Sequence, residues 1–176
     1  MPYPSLENLP IESMKFRSAT DNDIPQLQKL GLNAYGQFET VLTEENWKKL
    51  NSILLSEKTY PDLLSKSLCF VCEENEKIIG MAFFIPKGNP TDIFHENWSY
   101  VRMVGVDTEF AGKGIGKKLM QLCVDHARQT EEKFIALHTS EFMDAARHIY
   151  EAMGFKQIKE LETRLGKMYW LYVKEL

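Results

Sequence analysis

The stretch Val104-Gly105-Val106-Asp107-Thr108-Glu109-Phe110-Ala111-Gly112-Lys113-Gly114-Ile115-Gly116-Lys117-Lys118-Leu119 constrains this chain more than any other. It reads as a strand, a glycine-rich turn and an amphipathic helix whose Ile115, Leu119, Leu122, Cys123 and His126 share one face. Gly112, Gly114 and Gly116 remove the side chains that would hold a ligand off the backbone. The first helical turn leaves its N–H groups without intrahelical acceptors and carries about half a positive charge, which makes it an anion site. A turn built for packing alone is the poorer reading, because alternating glycines cost chain entropy and add no contact. Spacing narrows the anion. A P-loop needs G-x-x-x-x-G-K-[ST], but Ala111 holds the leading position and Lys118 the closing one. The dinucleotide pattern G-x-G-x-x-G fails as well, since Lys117 or Leu119 falls where its last glycine belongs.

The rest of the chain supplies the frame for that segment. Residues 14–19 read as a strand, and Thr20 to Asp23 offer capping side chains to a helix carrying Ile24, Leu27, Leu30 and Leu32. A break is expected near residues 31–36, then a helix over 44–55 and a short helical turn from Pro61. Residues 68–73 and 77–85 read as a strand pair around Glu74-Asn75-Glu76, and residues 86–99, with Pro86, Gly88, Asn89 and Pro90, as a loop over or beside the site. A strand over 100–107 precedes the glycine turn and its helix. A strand over 134–138, a helix over 143–153 closed by Gly154, and strands over 155–163 and 168–173 complete the order. The expected class is α/β of the α+β type, with a mixed, mostly antiparallel sheet of six to seven strands flanked by helices. Residues 1–13 form an extension and residues 14–176 one domain.

Composition excludes several functions. The formal charge of −4 disfavours a nucleic-acid backbone as partner, since that affinity comes from clustered Lys and Arg. No run of about 18 apolar residues offers to span a membrane. The opening residues lack a basic start and an apolar core, so the cytoplasm is the expected location. Cys69 and Cys72 make a C-x-x-C, but three residues apart in a strand they point to opposite faces, and two core cysteines are expected there, with Cys123 a third on its helix stripe.

Two patterns together resemble the GCN5-related N-acetyltransferase family. The first is Ala111-Gly112-Lys113-Gly114-Ile115-Gly116, similar to that family's [QR]-x-x-G-x-[GA] signature. The second is Ala146-Arg147-His148-Ile149-Tyr150-Glu151-Ala152-Met153-Gly154-Phe155. The resemblance covers nearly the whole chain. It departs at Ala111, where Gln or Arg is usual, and at Met143, where Asn often stands. It implies an acyl-CoA N-acyltransferase-like sheet splayed between its fourth and fifth strands, with acetyl-coenzyme A as cofactor. Main-chain groups from Val104 to Val106, Gly105 included, would meet the pantetheine arm. The amides of Gly112, Lys113, Gly114, Ile115, Gly116 and Lys117 would cradle the pyrophosphate.

The activity that the resemblance implies is direct attack of a primary amine on the thioester, with amides near Val106 polarising the carbonyl oxygen. An alkyl amine is about one part in a thousand neutral at pH 7, a handicap of about 4 kcal/mol, so a base is required. His138, at the end of its strand, is the first candidate, and a histidine held by local hydrogen bonds is the competing reading. Glu141 and Glu96 are further candidates. Tyr150, by resemblance, protonates the leaving thiolate, against a packing role for the same ring. By period-two counting Tyr100 and Arg102 share a face with Val104 and Val106. Tyr35, Phe38, Trp47, Phe94, Trp98, Tyr169, Trp170 and Tyr172 are available as walls for a small-molecule or peptide amine, or as core, and the acidic balance mildly favours a cationic acceptor. No metal site is expected, and a homodimer stays open. The alternative function is a noncatalytic acyl-CoA-binding module of the same fold.

Overall fold

A computed structural model describes residues 14–176, so the expected extension over 1–13 lies outside the described residues. The elements follow in the order β1 (Lys15–Ser18), α1 (Ile24–Gly36), α2 (Glu44–Leu55), α3 (Thr59–Ser65), β2 (Leu68–Glu74), β3 (Lys77–Ile85), β4 (Ser99–Val106), α4 (Ile115–Gln129), β5 (Phe134–Ser140), α5 (Asp144–Ala152), β6 (Lys156–Arg164) and β7 (Lys167–Glu175). The strands form one seven-stranded sheet ordered β1-β2-β3-β4-β5-β7-β6. Every neighbouring pair is antiparallel except β4 and β5, which run parallel. The hairpins turn tightly: Asn75 and Glu76 join β2 to β3, and Leu165 and Gly166 join β6 to β7, all at positive φ, as two-residue hairpin loops require.

Each face of the sheet buries its own core. On one side α4 and α5 cover Cys72, Ile79, Phe84, Val101 and Leu137 with Ile115, Leu119, Cys123 and Tyr150. On the other, α1 and α3 cover Val71, Met81, Phe83, Tyr100 and Ala136 with Leu27, Leu30, Tyr60 and Leu63. Cys69 lies in the second core and Cys72 in the first, as strand alternation dictates, and burial pushes both thiols up, to about 12 and about 11.

α1 runs unbroken through the region where a break was expected. Its Gly31 is a contact point: a Cβ there would stand 1.9 Å from the Tyr60 hydroxyl, so the missing side chain lets α3 close on α1. The start of α1 is tied to the sheet by Arg17, whose guanidinium pairs with Asp23 at 2.8 Å and Glu73 at 2.9 Å.

Gly31→Ala is expected to cost about 2 kcal/mol through overpacking, read as a lowered urea midpoint. The Tyr60 hydroxyl is buried without a partner, so Tyr60→Phe alone should be neutral or mildly stabilising, and it should rescue most of the loss in the double variant. A double variant as weak as Gly31→Ala would place the clash elsewhere.

Candidate active site

β4 and β5 share only the pairs Ser99↔Ile135 and Tyr100↔Ala136. β4 continues to Val106 and β5 to Ser140 without further pairing between them, so the sheet opens into a wedge between its fourth and fifth strands, as expected. A bulge accompanies the opening. The register of β4 against β3 slips between Phe83↔Arg102 and Met81↔Gly105, and Met103 takes φ 49°, a left-handed conformation uncommon for a side chain of its kind.

The bulge overturns the period-two assignment. Alternation carries Tyr100 and Arg102 to the α1 face, whereas beyond the extra residue Val104 and Val106 pack against the α4 core. One inserted residue reverses the faces of everything after it.

At the end of β4 the chain enters the glycine turn. Asp107 caps a 3-10 turn over Thr108–Phe110 by accepting from the Glu109 N–H, and it is held by Lys77 at 3.0 Å. Asn33 of α1 accepts from the Thr108 N–H at 3.0 Å. Gly112 and Gly114 then adopt φ 76° and 81°, with Gly114 as the N-terminal cap of α4. Among the described residues, no acceptor faces the N–H groups of Gly112, Lys113, Gly114, Ile115, Gly116 or Lys117, and the first bond of the helix runs from the Lys118 N–H to the Gly114 carbonyl. A Cβ at Gly112 would meet nothing within 4 Å. Bare amides on an open, left-handed turn suit a diphosphate, and Lys113 stands by, over the Phe110 ring at 5.4 Å.

Tyr150 projects from α5 into the α4-side core near the wedge and is 7% exposed. Its hydroxyl is neither hydrogen-bonded to a described residue nor fully buried, and burial raises its pKa, so the phenol stays protonated. Tyr35 approaches from α1 on the opposite face, where its hydroxyl donates to the Val104 carbonyl at 3.4 Å. The two phenols come near enough that ionising one disfavours ionising the other.

His138 faces the α1 side, and so looks at the wedge from the face opposite Tyr150. Phe94, at 5.9 Å between ring centroids, and Tyr169, at 5.7 Å, flank it. Its Nδ1 is buried without a partner, while Nε2 is neither bonded nor fully buried. Desolvation first, then the positive charges of Arg102 and Arg164, push its pKa down to about 4, so the ring is neutral at pH 7. Glu141 is exposed and accepts from the Met168 N–H at 3.2 Å, and Glu96 is exposed in the loop.

The proposed aromatic wall divides between the faces. Tyr35, Phe38, Phe94 and Tyr169 join Phe142, Tyr100 and His138 in one run of ring contacts, with Phe94 stacked on Tyr100 at 4.2 Å. Trp170 lies on the other side under Arg147, and Tyr172 in the α4-side core. The loop before β4 supplies Phe94 and is pinned by Tyr100, whose hydroxyl donates to the Asn89 carbonyl at 2.8 Å. Phe142 and Tyr100 are members of this run that the expected wall lacked, and Arg102 shares the face of Tyr100. A bulge has no local sequence signal that would have turned Arg102 toward this face.

The model of the acetyltransferase (GNAT) family matches residues 33–155. The chain belongs to the GNAT family. This GNAT domain is 30% identical to human N-acetyltransferase 8B over 121 residues, 66% of this chain and 52% of that one. The chain spans about half the length of the curated relatives it matches. Among solved structures, the GNAT fold recurs in PaiA N-acetyltransferase from Thermoplasma acidophilum, in complex with coenzyme A, at TM-score 0.74 and 15% identity over 93% of this chain and 99% of that one. It recurs also in the ribosomal-protein-S18-alanine N-acetyltransferase of Escherichia coli, at TM-score 0.69 and 16% identity over 92% and 93%.

The depressed pKa of His138 carries a stability signature. The folded value near 4 lies below the unfolded value near 6.5, so the unfolded chain binds the proton more tightly. Stability from this group is complete above about pH 6.5 and is lost as pH falls toward 4. Between pH 7 and pH 5 the parent should lose about 2 kcal/mol that His138→Gln does not lose, measured by urea unfolding at both pH values. Equal losses would refute a desolvated, neutral imidazole.

Proposed function

We propose that this domain is an acetyl-CoA-dependent N-acetyltransferase that moves the acetyl group by direct attack onto a primary amine of a small molecule or peptide. The observation that carries the reading is the run of acceptorless amides from Gly112 to Lys117, set at the end of β4 beside the wedge, in a chain of this family. The activity named for the human relative supports the same class.

Acetyl-CoA supplies, when bound, a thioester carbon open to a nucleophile. The amides of Gly112, Lys113, Gly114, Ile115, Gly116 and Lys117 hold the diphosphate, and main-chain groups from Val104 through Gly105 to Val106 hold the pantetheine arm along the exposed edge of β4. The bond forming joins the amine nitrogen to the acetyl carbon, and the bond breaking is carbon to sulfur. His138 receives the amine proton at Nε2, for which its neutral state at pH 7 is the competent one. Its low pKa makes it a weak base, so the demand on it falls as pH rises toward the pKa of the amine. Tyr150 holds the proton at Oη that the departing sulfur takes.

Thiol release and mass spectrometry of products across an amine panel test the activity, and calorimetry with acetyl-CoA tests the cradle. Failure to bind any coenzyme A thioester would overturn the reading. Tyr150→Phe should lower kcat about 100-fold while leaving the acetyl-CoA Kd within about threefold. Gly112→Ala strains a positive φ and puts a methyl into the open cradle; it should weaken acetyl-CoA about tenfold or more, and an unchanged Kd would remove this turn from cofactor binding. His138→Gln should cut kcat/KM about 100-fold at neutral pH, with the deficit shrinking at alkaline pH; a profile parallel to the parent's rejects it as the base.

A further inference from the structure

Arg102 stands where β4 leaves β5, two residues past the last shared pair at Tyr100↔Ala136. It precedes the Met103 bulge, in regular register opposite Phe83, so its side chain takes the α1 face together with Tyr100. Its charge acts on Tyr35, Tyr100 and His138, the groups that ring the α1-side mouth of the wedge. The pyrophosphate cradle belongs to the α4 side. The mouth beside Arg102 is therefore the one left for the acceptor.

The charge of Arg102 is uncompensated. Arg17 is held by Asp23 and Glu73, Arg147 pairs with Asp144 and lies over Trp170, and Arg164 pairs with Asp92. Arg128 is exposed. Arg102 is half-buried, yet among the described residues no carboxylate lies within ion-pair distance and no acceptor takes a hydrogen bond from it. A partly desolvated guanidinium is stable when a partner fills its fork, and a carboxylate matches that fork with two parallel hydrogen bonds.

We propose that the acceptor is an amino acid, with its carboxylate bound by Arg102 and its amine presented to the wedge beside His138. This rests on the reading of the domain as an acetyltransferase and narrows its acceptor. It replaces the cationic acceptor that overall charge suggested, because salt screens a net charge of −4 within about 10 Å while a cation in contact acts directly. The same cation disfavours the ammonium form of a neighbouring amine and so eases its loss of a proton. Behind His138, Phe94 and Tyr169 are buried and Phe142 is half-buried, an apolar backing that suits an apolar or aromatic side chain on the acceptor.

The test compares free amino acids with their carboxamides as acetyl acceptors for the whole chain at saturating acetyl-CoA. The parent should prefer the acid about 10- to 100-fold in kcat/KM, chiefly through KM. Arg102→Gln should abolish that preference, bringing the acid down to the level of the amide with any further loss shared equally by both, and Arg102→Lys should restore part of it. A peptide whose amine lies far from any carboxylate should be a poor acceptor. Equal use of acid and amide by the parent, better use of such peptides, or a preference that survives Arg102→Gln would overturn the proposal while leaving the acetyltransferase reading intact. Where turnover is too slow to measure, thermal shifts of the coenzyme A-saturated protein decide instead: stabilisation by acids and not by amides, lost in Arg102→Gln, is expected, and no difference refutes it. Loss of coenzyme A binding itself would instead indict the underlying reading.

Discussion

β4 and β5 share hydrogen bonds only at Ser99↔Ile135 and Tyr100↔Ala136, and past those pairs each strand leaves main-chain groups facing a wedge. A buried sheet does not ordinarily leave backbone donors and acceptors unmatched in its middle, because each costs a lost hydrogen bond. The wedge is tolerable because the sheet is complete on both sides: β3 pairs along β4, and β7 pairs with β5 from Phe134 through Ser140. Within the interior of the sheet the unpaired backbone thus lies in one place, leading toward the bare amides from Gly112 to Lys117. Groups in search of hydrogen-bond partners, lined up along a strand and around a turn, are a template for an extended, diphosphate-bearing ligand.

The bulge at Met103 gives the wedge two sides with different chemistry. Before it, Tyr100 and Arg102 face α1 and the aromatic run; after it, Val104 and Val106 face α4. Tyr150 and His138 consequently stand on opposite faces of the same opening, which suits the proposed transfer, in which donor and acceptor arrive from different directions. The environments differ in the required sense. Burial keeps the Tyr150 phenol protonated, as the proposed proton donor must be, and burial with Arg102 keeps the His138 ring unprotonated, as the proposed base must be.

The helices on the α1 side hold this arrangement in place. Arg17 ties the start of α1 to β2, Gly31 lets α3 close against it, and Asn33 and Tyr35, two residues apart near its far end, reach the glycine turn and the β4 main chain. A shift of α1 along its axis would therefore disturb the glycine turn and the α1-side mouth of the wedge together.

Much of this was legible in one dimension. The order of strands and helices, the opposite faces of Cys69 and Cys72, and the open glycine turn with its acceptorless amides follow from periodicity, from glycine spacing and from the orphan amides that any helix start presents; these are local consequences of backbone geometry. The unbroken course of α1 was not legible, because Gly31 reads as a breaker until Tyr60, twenty-nine residues later, is seen to fill the space beside it. Nor was the composition of the acceptor face. Strand alternation predicts side-chain direction only while the register is regular, and one extra residue at Met103, where β4 slips against β3 and parts from β5, puts Val104 and Val106 on the side opposite Arg102. Backbone chemistry was thus set by the order of residues, whereas the assignment of side chains to faces was decided by contacts between strands distant along the chain.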